Sequence, residues 1–118
     1  MNMITFDSKY QIMIIGVAGP YTAATEKERK LNLDAMNIAA ARLLEKGHIP
    51  VIGINAALPV VEKAHVNDHY KAIMDISLAV INACDAILIL GESKGVAMER
   101  DLIQSKGLPV YYDLSKIS

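Results

Sequence analysis

A single cysteine, Cys84, stands in the 118 residues, so no intramolecular disulfide can form. It falls at the end of an expected helix, just before an apolar strand, a setting for a buried, inert thiol rather than a reactive one. Lysine and arginine form no cluster and the formal net charge is −1, which removes the electrostatic footprint of a nucleic-acid polymer binder. No stretch reaches the roughly 18 apolar residues of a membrane span, so no membrane partner is expected. The N-terminal stretch lacks the long apolar region and small-residue cleavage site of a signal peptide, and a cytoplasmic location is the expectation. The GxGxxG and GxxxxGK(S/T) patterns are both missing, against Rossmann dinucleotide binding and P-loop NTPase chemistry. No repeat, low-complexity segment or linker interrupts the chain.

What is present is a chain 53% hydrophobic and 21% charged, enough for one domain over residues 1–118 with a real core and too little for two. Gln11 to Ala18 reads as a buried first strand ending at Gly19 and Pro20. Glu26 to Lys46 carries Leu33, Met36, Ala40, Leu43 and Leu44 at helical spacing and closes at Gly47. His48 to Asn55 reads as a second strand, with Pro50 near its start. The stretch from Ala56 to Tyr70 is the least regular and reads as a long loop, a candidate lid or substrate wall. Val66 to Ala83 forms a second helix with Val66, Tyr70, Ile73, Met74, Leu78 and Ile81 on one side. Strands alternating with helices predict an α/β three-layer sandwich of flavodoxin or Rossmann-like type, with four or five parallel strands.

The chain is organised around Asp85 to Tyr112, which reads as strand, polar loop, helix, turn and strand. In open parallel sheets the ligand lies outside the carboxyl ends of the strands, so Ser93 and Glu99 fall where chemistry is usually placed. Ser93 also suits a helix N-cap, though Val96 three residues on leaves the capping box incomplete. Glu99 lies in or just past the first turn of a helix beginning near Gly95, where the helix dipole favours its ionised form. Gly19, Pro20 and Tyr21 begin the first strand-to-helix loop, where small residues admit a ligand and Tyr21 offers a hydroxyl. Asp75 borders the apolar stripe of its helix, a place for a solvated acid or for a proton donor raised by desolvation. Arg29 and Asn32 read as part of a solvated helix face. His65 and His69 share helical spacing but have no third ligand in sequence, so no metal is assigned.

AGPYT after the first strand, the Asp75 helix, DAILIL, and SKGVAMER followed by KGLPVYY together resemble the nucleoside 2-deoxyribosyltransferase superfamily, over nearly the whole chain. The small bacterial and phage branch of that group is the most similar. The resemblance implies a glutamate nucleophile in a Gly-x-x-x-Glu context, matched by Gly95 to Glu99, and an assisting aspartate 24 residues earlier, matched by Asp75. Superfamily members that hydrolyse 2'-deoxynucleoside 5'-monophosphates have a phosphate-binding serine six before the nucleophile, and this chain has Ser93 there. Two of their features are missing. The first strand, IIGVAG, has no tyrosine, and GPYTAA stands in place of an arginine-containing, glycine-rich loop.

The implied activity is cleavage or transfer of an N-glycosidic bond, on a nucleotide or nucleoside, through a covalent glycosyl-glutamate. Tyr21 and Asn55 are the candidates for sugar or base contacts. No cofactor is implied, since the nucleophile is a side chain, and a homodimer or larger homo-oligomer is expected. The rival expectations are a non-catalytic nucleotide-binding or sensing protein and, more distantly, a structural oligomerisation domain.

Overall fold

The computed structural model describes residues 11–118. Four strands, β1 (Ile14–Ala18), β2 (Ile49–Val51), β3 (Ala86–Ile89) and β4 (Val110–Tyr111), form an all-parallel sheet in the order β2-β1-β3-β4. Period-two alternation divides the central strands between two faces. Ile15, Val17, Ala86 and Leu88 pack with Met36, Ala39, Ala40 and Leu43 of helix α1 (Glu26–Glu45). Ala18, Ile87 and Ile89 pack on the other face with Ile81 of α3 (His69–Ile81) and with Val96 and Ile103 of α4 (Lys94–Ser105). Buried on both sides, β1 and β3 therefore read as continuous apolar runs, and the result is the expected three-layer sandwich.

Local chemistry fixes the ends. Thr25 caps α1, its Oγ1 accepting from the Glu28 amide at 3.1 Å while its hydroxyl donates to the Glu28 carboxylate at 3.0 Å. Gly47 and Gly107 follow α1 and α4 with φ of 95° and 69°, the left-handed conformation that glycine adopts without strain. At Gly16 a Cβ would come within 2.6 Å of the Ile81 Cδ1 and 3.3 Å of the Cys84 sulfur, so any larger residue would have to displace the buried tip of Ile81.

Several boundaries differ from the sequence expectation. Strand β2 ends at Val51, and the supposed loop beyond it is a helix, α2 (Gly53–Lys63), with Pro59 inside. Pro59 withholds one backbone donor, yet Ala57 and Val61 bury the helix at 0% and 4% exposure, and packing outweighs that loss. Helix α3 starts at His69 rather than Val66, because the Asp68 side chain caps it by accepting from the Lys71 amide at 2.9 Å. Leu44 is exposed rather than core, and beyond Tyr112 the chain returns to the fold, Ile117 being 1% exposed in the α1-side core. The first strand begins at Ile14 rather than Gln11, and the last spans only Val110–Tyr111. Cys84 is buried as expected, and desolvation pushes its thiol up to about 11.

Candidate functional site

Strand order reverses direction of growth between β1 and β3, the place where loops on the carboxyl side diverge and leave a crevice. A cavity of about 290 Å3 opens there. Its walls are the loop after β1, from Gly19 to Thr22, and the first two turns of α4. The side of α3 bearing Tyr70, Ile73, Met74 and Ser77 completes it, with Ile54 of α2 and Met36 of α1. Of the residues expected from sequence, Gly19, Pro20, Tyr21, Ser93, Gly95 and Glu99 line this one cavity.

The loop after β1 is held from behind. Arg29 donates to the Ala23 carbonyl at 2.9 Å and Asn32 to the Tyr21 carbonyl at 3.1 Å. These two residues are thus loop anchors, not the solvated face their helical spacing suggested.

Ser93 is the N-cap of α4, its Oγ accepting from the Val96 amide at 3.1 Å. As a hydroxyl it keeps a proton to donate, so capping leaves it able to meet a ligand. Lys94, the first residue of α4, places its ammonium 5.7 Å from the centre of the Tyr70 ring, within reach of a cation–π contact at the cavity wall. Gly95 lies against α3, and a Cβ there would come within 3.1 Å of the Met74 sulfur.

Glu99 lies beyond the first turn, since α4 begins at Lys94. The N-terminal dipole falls off within one turn, so it does not govern this carboxyl as the sequence suggested. Desolvation does, pushing the Glu99 carboxyl up from 4.5 to about 7. Among the described residues nothing donates a hydrogen bond or an ion pair to it. A carboxyl so placed is poised between acid and base near neutral pH, the condition for proton transfer or for nucleophilic attack by its ionised fraction.

Two expected residues lie elsewhere. Asp75 is on α3 at the expected separation from Glu99 but on its outer side, exposed and paired with Lys71 at 2.7 Å. Asn55 is exposed on α2, its amide donating to the Asn37 side chain at 2.8 Å. The residue that sequence reasoning passed over is Ser77, 2% exposed on the cavity wall. Its signal was available, for it continues the apolar stripe of Tyr70, Ile73 and Met74 as the one polar member.

Among the described residues no helix is long and apolar enough to cross a membrane. No curated protein matches the chain. A family model described as Domain of unknown function (DUF4406) matches residues 13–112, which include all four strands, all four helices and every residue lining the cavity. The chain belongs to the DUF4406 family.

Proposed function

We propose that this protein cleaves or transfers the N-glycosidic bond of a (deoxy)nucleoside 5'-monophosphate or nucleoside, through a covalent glycosyl intermediate on Glu99. One observation carries the reading: a desolvated carboxyl with no partner among the described residues lines a largely apolar cavity at the carboxyl ends of β1 and β3. The likeness of its sequence context to the nucleoside 2-deoxyribosyltransferase superfamily supports the same assignment. Ionised Glu99 would attack C1' as the bond to the base breaks, the base leaving with the bonding electrons and taking a proton. Water then opens the glycosyl ester in a hydrolase, or a second base does so in a transferase. The Ser93 hydroxyl and Lys94, at the head of α4, suit an anionic group such as a phosphate. Tyr21 and Tyr70 supply aromatic surface for a base. Among the described residues Glu99 is the one carboxylate lining the cavity, so the proton for the leaving base would come from water at the mouth or from Lys94 rather than from Asp75 of the same chain. A homo-oligomer belongs to the same reading, and Leu31 and Ile38 give α1 an exposed apolar side for it.

That no second carboxylate among the described residues lines the cavity favours one rival, a non-catalytic nucleotide-binding protein on the same fold. Chromatography of free base released from deoxynucleosides and their 5'-monophosphates separates the two. The wild type is expected to release base, with kcat/KM rising as pH passes through about 7 and Glu99 ionises. Glu99→Gln is expected to lose at least about a thousandfold while still binding. Binding without release by the wild type would establish the rival.

A further inference from the structure

Ser77 is a serine in the middle of a helix, in a position that packing alone would fill with alanine. It is 2% exposed, yet none of the described residues hydrogen-bonds its hydroxyl, and no buried side-chain oxygen or nitrogen among them is stranded. Both hold together only if Oγ opens on the cavity that Ser77 lines, where something other than protein completes it. The backbone carrying it is fixed from behind: a Cβ on Gly53 would come within 2.9 Å of the Ser77 Cα and 3.0 Å of its carbonyl oxygen. Helix α2 therefore presses on α3 at this residue and sets the hydroxyl in place.

We propose that Ser77 is a specificity-determining contact, whose hydroxyl takes the hydrogen bond of a sugar-ring hydroxyl on the nucleotide in the cavity. This rests on the nucleotide reading above. A hydroxyl is both donor and acceptor and carries no charge, which matches a sugar hydroxyl. A phosphate is better served by Lys94 and the N-terminus of α4, whereas Ser77 lies mid-helix, away from either dipole end. Apolar neighbours, Ile73 and Met74 on its own helix, exclude competing water and make the contact selective.

The test measures dissociation constants by calorimetry, with Glu99→Gln preventing turnover, for each deoxynucleoside 5'-monophosphate and its 2',3'-dideoxy counterpart. Ribonucleoside 5'-monophosphates report on the 2' position. Ser77→Ala on that background is expected to weaken the hydroxyl-bearing ligand about tenfold and to leave the analogue lacking that hydroxyl unchanged. A melting curve confirms that the variant folds, since alanine suits the buried helix face. Equal losses on both ligands, no loss, or a loss that follows the base would overturn the Ser77 assignment alone. A hydroxyl-dependent loss in a protein that releases no base would retain the assignment and retire the glycosidic reading. Failure of every nucleotide to bind would overturn both.

Discussion

The two sides of helix α3 treat acid groups in opposite ways. On the outer side Asp75 sits in water beside Lys71, an exposed pair one helical turn apart. On the inner side, across the cavity, Glu99 is largely desolvated and has no partner among the described residues. The family resemblance pairs these carboxylates, but the environments leave one exposed beside a lysine and make the other a group whose proton is retained to about pH 7. Chemistry follows desolvation here, and desolvation belongs to the groove between α3 and α4 rather than to either helix alone.

The largest effect expected of this contrast is on stability. Glu99 holds its proton to about pH 7 when folded, against 4.5 ordinarily, so below 4.5 both states are protonated and the residue makes no difference. Between those values the folded state binds the extra proton, and stability falls as pH rises, by up to about 3 kcal/mol above pH 7. Denaturant titrations from pH 4 to 8 should show this fall in the wild type. Glu99→Gln should be the more stable protein at pH 8 and should lack the Glu99-dependent part of the slope. An identical slope in the variant would mean the carboxyl is solvated after all.

A smaller effect is expected where α2 braces the inner side. Gly53→Ala places a methyl group against the backbone of Ser77, which cannot step aside as a side chain could, and should cost about 1–3 kcal/mol by chemical denaturation. A neutral result would show that α2 and α3 separate readily. The smallest effect is reserved for the outer side. Asp75→Asn should leave the melting temperature unchanged within error and alter base release less than about twofold, because exposed pairs are screened and Asp75 lies off the cavity. A large loss of activity would break the comparison and restore Asp75 to the chemistry.

The central strands were legible because burial on both faces leaves an apolar run with no other reading, and α1 because its stripe is long. Helix α2 was hidden by Gly53 and Pro59, residues whose local meaning is to end structure and whose actual setting is close packing and a buried apolar side. Of the site, the loop after β1 and the head of α4 were readable from strand-to-helix position alone. Asp75 lies off the cavity: a separation of 24 residues fixes the helix but not the side of it, while Met74 just before it and Ser77 two residues on face the cavity. Ser77 needed the third dimension, since only the approach of Gly53 and the missing protein partner distinguish it from a helix-surface serine.

The anchoring of the first loop has its own consequence for affinity. Arg29 and Asn32 reach back from α1 to hold the Ala23 and Tyr21 carbonyls, so the helix that follows the loop also shapes it. The wall between Tyr21 and α4 is thus held in place by protein hydrogen bonds, and any ligand that entered there would cost little chain entropy in ordering it. Affinity could then rest on few polar contacts, which is what a small cavity offers whose described lining holds one carboxyl, one ammonium and a handful of hydroxyls.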